Sequence, residues 1–314
     1  MVTQTSDYIQ HNGISQPKAT ESFYTLFRPE GGNIKATLLI LHGMQEHSGR
    51  YTEFAQYLAE QGLAVITYDH LGHGKTAKNR EDLGFFQIGN PAQQVINDAE
   101  NIADYLEKLY PDAPHFLLGH SMGSFIARCL LQQAYSRFSG VIIVGTGGKV
   151  PGSKFGKAIS ALLNKITPHY RSNFINTFFN KQNNLRFKNE PAENGTNWLS
   201  VDRNNRQVFL QDELCGIPFS INGFYTLLSV NVKATDRHWA RTLPHTFPML
   251  FISGTDDPIG NFGKGIQQTV SDLEQDGFKD ISMKLYTGMR HEILNETDKQ
   301  DVYKDIISWI GKHL

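Results

Sequence analysis

The chain has little of what marks several large classes of protein. It has two cysteines, Cys129 and Cys215, in 314 residues. That is too few for a disulfide framework, and their spacing is not that of a metal site. Cys129 falls in a helical stretch, where a buried thiol is the ordinary expectation. No run of about 18 apolar residues occurs, so no membrane-spanning helix is expected. Met1–Gln10 is polar and lacks the apolar segment of a secretory leader, which makes a cytoplasmic location the expectation. Charge bias is absent too: 30 Lys and Arg stand against 31 Asp and Glu, a net charge of −1. Such a chain has no overall field to draw nucleic acid or an anionic membrane, and no nucleic-acid partner is expected. There is no internal repeat. What is present is 39% hydrophobic residues, enough for a large core in one domain or in a domain with an insertion.

Those residues fall in alternating runs. Ser22–Arg28 alternates as a strand does, with Pro29-Glu30-Gly31-Gly32 as a turn after it. Ala36–Leu41, Leu63–Tyr68, His115–Leu118 and Val141–Val144 are short apolar runs of buried-strand type. Between them, Tyr51–Gln61, Pro91–Tyr110 and Ser124–Ala134 have helical spacing. The rhythm stops near Lys149 and resumes at Pro248–Ile252, followed by a helix over Phe262–Gln275, a strand at Ile281–Tyr286 and a helix over Asp298–His313. Strands alternating with helices predict a mostly parallel sheet covered on both faces. The expected organisation is a core of residues 1–148 and 244–314 interrupted by an insertion at 149–243, longer than any ordinary loop.

Gly119-His120-Ser121-Met122-Gly123 lies between an expected strand and an expected helix. A G-x-S-x-G sequence on such a turn is a nucleophile elbow: the glycines allow close approach and the serine hydroxyl is left exposed. A serine needs a base within hydrogen-bond reach, and the base needs an orienting acid, both in loops after later strands. Ser253-Gly254-Thr255-Asp256-Asp257-Pro258 and Gly288-Met289-Arg290-His291-Glu292 follow the last two strands. The proline after Asp257 restricts its backbone and favours it as the acid, with Asp256 a turn former. His291 alone follows a strand after the acid. His11 and His313 are near the termini, His169, His238 and His245 lie in or beside the insertion, and His120 is expected to point away from Ser121. The elbow rule takes one oxyanion donor from the residue after the nucleophile and one from a loop after an early strand. These are the backbone N–H groups of Met122 and of Met44 in His42–Gly49. His42, His47, Asp69, His70 and His73 lack convergent ligand spacing; neither a metal nor a cofactor is expected.

The runs His42-Gly43-Met44-Gln45-Glu46-His47-Ser48-Gly49-Arg50-Tyr51, Asp69-His70-Leu71-Gly72-His73-Gly74, Gly119–Gly123 and Gly254–Pro258, with His291, resemble the monoacylglycerol lipase and lysophospholipase branch of the α/β hydrolases, often filed with serine aminopeptidases. The resemblance spans both sides of the insertion. It implies the α/β-hydrolase fold with an inserted helical cap, catalytic Ser121, Asp257 and His291, and an oxyanion hole at Met44 and Met122. Ser124 departs from the pattern, where many relatives have glycine; an effect on helix packing rather than chemistry is expected.

In the insertion, Phe155, Ala158, Ile159, Leu162, Leu163 and Ile166 fall on one helical face, with Lys154, Lys157 and Lys165 off it. Phe174, Ile175, Phe178 and Phe179 form a second apolar group. Most such stripes face a core; the functional alternative is a cap that lines an acyl pocket and touches a membrane or micelle surface transiently. The expected activity is cleavage of a small lipid-like ester, monoacylglycerol or lysophospholipid, through an acyl-enzyme. A proline-releasing aminopeptidase is the alternative; it needs free acidic groups for the substrate ammonium, for which Glu190, Glu193, Asp202, Asp212 and Glu213 are candidates. A ligand-binding protein on an inactive hydrolase fold is a third reading, and no triad member is missing to favour it.

Overall fold

The computed structural model describes residues 1–11, 20–31, 33–149, 152–191 and 193–314. They form one eight-stranded sheet: β1 (Val2–His11), β2 (Thr20–Pro29), β3 (Ala36–Leu41), β4 (Leu63–Tyr68), β5 (His115–His120), β6 (Gly140–Val144), β7 (Met249–Gly254) and β8 (Ile281–Tyr286). The order across the sheet is β1-β2-β4-β3-β5-β6-β7-β8. β1 pairs antiparallel with β2, and β2 with β4; every pair from β4 to β8 is parallel. β3, β4, β6 and β7 are buried along their whole length, which is why they read as unbroken apolar runs. β1 was not legible as a strand: it is an edge strand with mostly exposed residues, so no hydrophobic face marks it. Of the expected turn after β2, Gly32 lies outside the described residues.

Register decides which side each strand residue feeds. Leu38 lies beside Val65 and Phe116, and Leu39 beside Ile66 and Leu117. Because successive side chains point to opposite faces, the first set joins one core with α1 (Thr52–Glu60) and α9 (Lys299–Gly311). The second joins the other core with α2 (Pro91–Leu109), α3 (Met122–Ala134) and α8 (Lys264–Gln275). α2 begins where the sequence says it should: the Asn90 side chain accepts from Gln93 N and Pro91 occupies the first turn. Cys129, in α3, is a buried free thiol.

Between β6 and β7 the chain leaves the sheet and makes α4 (Ser153–Ile166), α5 (Asn173–Asn184), α6 (Arg203–Gln211) and α7 (Ile221–Ala234). α4 overturns the commoner expectation for its stripe. It packs on α7 through small and polar residues: Ser153 and Ser160 are buried, Gly156 faces Leu228, and Asn222 Nδ2 donates to Asn164 Oδ1 at 3.0 Å. The apolar side faces outward, with Phe155 and Ile166 each 73% exposed and Ile159 and Leu162 also exposed. In α5, Phe174 and Phe178 are exposed as well, while Ile175 and Phe179 pack inward. Among the described residues no helix is long and apolar enough to cross a membrane.

Candidate active site

Four loops meet beyond the carboxyl ends of β3, β5, β7 and β8, the side on which open parallel sheets carry their sites. The loop after β5 is the tightest. Ser121 has φ 53° and ψ −117°, a conformation that costs a non-glycine residue of order 1–3 kcal/mol and needs surrounding structure to hold it. Its N–H donates to Val144 O at 3.0 Å. A Cβ on Gly123 would stand 2.1 Å from Leu41 O, and one on Gly119 would stand 2.4 Å from Gly123 O; only glycine permits α3 to sit this close to β3. Ser124 does more here than pack the helix. Its hydroxyl donates within 2.5 Å of Ser121 O and lies 2.7 Å from Thr146 Oγ1, so it braces the elbow directly.

His291, after β8, is buried, and its Nδ1 lies 3.0 Å from both carboxylate oxygens of Asp257. Asp257 is fully buried and also accepts from Ser253 Oγ at 2.8 Å and from Ile259 N at 2.9 Å. These bonds fix the carboxylate and leave His291 Nδ1 as the protonated nitrogen, with the Nε2 lone pair free to accept a proton. Asp256 is turned elsewhere, its N–H donating to Met289 O at 3.0 Å. Ser121, His291 and Met44 line one cavity of about 110 Å³. Met122 is buried at the first position of α3, and Asp257 stands behind His291 rather than in the cavity.

His120 does not simply turn away from Ser121. It lines the same cavity, but both its nitrogens are engaged. Nε2 donates to His291 O at 3.2 Å, and Nδ1 lies 2.8 Å from Tyr51 Oη and 3.3 Å from Glu46 Oε1. Glu46 Oε1 accepts as well from Tyr51 Oη at 2.7 Å and from Gly43 N at 2.5 Å. Burial works against charge on each partner. Their hydrogen bond and mutual attraction prevail, holding the Glu46 carboxyl below its usual value and raising the His120 imidazole above its own. Arg50 extends the set: it meets Glu292 at 2.6 Å and lies 3.6 Å from Glu46. This network joins the Met44 loop, the elbow and the His291 loop. Sequence reasoning missed it, although Glu46 and Arg50 stand at i, i+4 in a motif already singled out. Trp198 was missed too; its ring centre lies 4.9 Å from that of His291.

His42, His70 and His73 are buried, and hydrogen bonds hold their rings among the two loops. His42 Nδ1 donates to Gly43 O at 2.7 Å and Nε2 accepts from His70 N at 2.9 Å. Burial drives His42 well below its ordinary pKa, His70 down to about 3 and His73 to about 4. Asp69 accepts from Ser48 N at 2.8 Å and from Lys75 N at 2.7 Å, tying its loop to backbone donors. Among the described residues, His47, Asp212 and Cys215 bring one donor atom each within 4.8 Å of one another and could hold a cation; here His47 Nε2 and Asp212 Oδ2 bond each other at 2.8 Å.

A serine elbow after β5, with carboxylate and histidine loops after the last two strands of a mostly parallel sheet, defines an α/β hydrolase. Within that class the chain belongs to the serine aminopeptidase S33 family, whose model matches residues 32–298. The chain is 26% identical over 299 residues to the monoglyceride lipase of Mus musculus, covering 93% of this chain and 87% of that protein. It is 23% identical over 290 residues to the monoacylglycerol lipase of Mycolicibacterium smegmatis, covering 89% of each. A thermostable carboxyl esterase from Bacillus coagulans, solved in complex with glycerol, matches with a TM-score of 0.87 at 26% identity over 99% of both chains.

Proposed function

We propose that this carboxylic ester hydrolase cleaves lipid-type esters, monoacylglycerol or lysophospholipid, with Ser121 as nucleophile, His291 as base and Asp257 as the acid that orients it. The observation that carries the reading is the pairing of His291 Nδ1 with the buried Asp257 carboxylate beside the cavity that Ser121 lines. Ser121 Oγ attacks the ester carbonyl carbon as His291 Nε2 takes its proton. Collapse expels the alcohol, which leaves with that proton. Water, deprotonated by the same nitrogen, then attacks the acyl-enzyme and releases the fatty acid. The N–H groups of Met44 and Met122 donate to the oxyanion, aided by the positive end of α3.

Residues 149–243 act as the cap over the core formed by 1–148 and 244–314. A 110 Å³ cavity is small against the roughly 300–1,000 Å³ of sites that enclose whole ligands, so a long acyl chain enters only when the cap moves. The outward apolar face of α4, with Lys154, Lys157 and Lys165 beside it, supports contact between the cap and a lipid surface: each large side chain kept in water forgoes about 1.5–3 kcal/mol of burial.

Charge pairing favours the ester over the peptide substrate. Glu193 is held by Arg206 at 2.8 Å, Asp212 by His47 at 2.8 Å, and Glu190 by Arg290; Asp202 caps α6. The two carboxylates that line the cavity, Glu46 and Glu292, are both met by Arg50. Glu213 has no ion-pair partner among the described residues but does not line the cavity, and a substrate ammonium there would meet Glu46 and Glu292 already facing Arg50. Parallel assays on p-nitrophenyl butyrate, a monoacylglycerol and proline p-nitroanilide test the reading. Turnover of the two esters is expected; turnover of the anilide alone overturns it.

A further inference from the structure

Arg128 carries a charge that ester cleavage does not use. It lies on α3, two turns beyond Ser121, and is 1% exposed. Its Nε and Nη1 are buried and meet no acceptor, while its guanidinium carbon sits 4.6 Å from the centre of the Trp239 ring. A guanidinium stays protonated and presents five donors in a planar fork. Burying one without a counter-charge costs far more than a cation–π contact returns. Burial draws its pKa down to about 9, the direction of a cation short of a partner.

Arg128 is among the residues lining a cavity of about 780 Å³ that shares no lining residue with the one at Ser121, and its unpartnered nitrogens lie just beneath that wall. Pro258 and Ile259 form part of its wall, and Lys149 and Lys264 also line it. Neither lysine has an ion-pair partner among the described residues. Asp236 and Asp272 line it as well, but Asp272 faces Arg237 at 3.5 Å, so the wall keeps a positive balance. A planar cation with free donors, flanked by an aromatic face and two lysines, fits an oxyanion.

We propose that this cavity is a second ligand site, separate from the ester-cleaving one, that binds a carboxylate or phosphate group on Arg128 with Lys149 and Lys264 at its rim. It borders the acid loop, since Ile259 both lines it and donates its N–H to Asp257 Oδ1 at 2.9 Å. The test does not depend on ester turnover. The Tm of the wild type, Arg128→Met and Lys264→Ala is followed in chloride buffer as inorganic phosphate or butyrate is added at constant ionic strength. At least one anion raises the wild-type Tm in a saturable way; phosphate alone or butyrate alone identifies the group bound. Arg128→Met loses that rise while its anion-free Tm is equal to or above that of the wild type, and Lys264→Ala weakens the apparent affinity about three- to ten-fold. No rise with either anion, or the same rise in Arg128→Met, overturns the proposal. If Arg128→Met does not fold, an unchanged affinity in Lys264→Ala overturns it.

Discussion

Asp256 and Asp257 are adjacent and chemically identical, yet only Asp257 faces His291. Asp257→Asn keeps the shape but disturbs the His291 tautomer, and kcat on p-nitrophenyl butyrate is expected to fall by about 10⁴-fold, the scale for such a change in a serine triad. Asp256→Asn is expected to stay within a few-fold. A second residue reports on stability. Burial pushes the Asp98 carboxyl from 3.8 up to about 7, offset in part by Gln94 Nε2 donating to it at 2.7 Å. The folded state therefore holds a proton that the unfolded state has released between about pH 4 and pH 7, so Asp98 makes the protein less stable as pH rises through that window. Asp98→Asn removes the effect. Unfolding free energies from urea titration of variant and wild type should diverge from pH 4 to pH 8 in the variant's favour, by roughly 2–4 kcal/mol; a constant difference contradicts this.

Legibility at the element scale followed burial in the centre of the sheet, while β8 was legible from its pattern although most of it is only partly buried or exposed. β3 to β7 could be read because they are buried and apolar, and α2 because Asn90-Pro91 caps it. β1 could not, since an edge strand needs no apolar face. α4 was legible as a helix but not in its orientation. Periodicity identifies an apolar side without saying what covers it, and here Ser153, Ser160 and Asn164 are the residues that meet the rest of the chain. The exposed face makes a prediction of its own. Phe155→Ser combined with Leu162→Ser should abolish most recovery of the protein in flotation with anionic phospholipid vesicles, while kcat/KM on soluble p-nitrophenyl butyrate changes less than about two-fold. Equal flotation of variant and wild type, or no flotation of either, removes the lipid-surface role.

At the scale of the whole molecule, the motif residues were legible because each is tied to the end of a strand, and an open parallel sheet gathers those ends on one side. The Glu46, His120, Arg50 and Glu292 network was not, because its members come from the segment after β3, the end of β5 and the loop after β8, and nothing local announces their meeting. The same holds for Arg128 in α3 and Trp239 in the turn after α7, which are far apart in sequence and meet only in the fold. Intact-mass spectrometry after exposure to a fluorophosphonate shows whether this fold holds Ser121 as the nucleophile. The wild type should gain one adduct, mapped to Ser121, with loss of ester turnover in proportion, and Ser121→Ala should gain none. An unlabelled wild type, or equal labelling of Ser121→Ala, would contradict it.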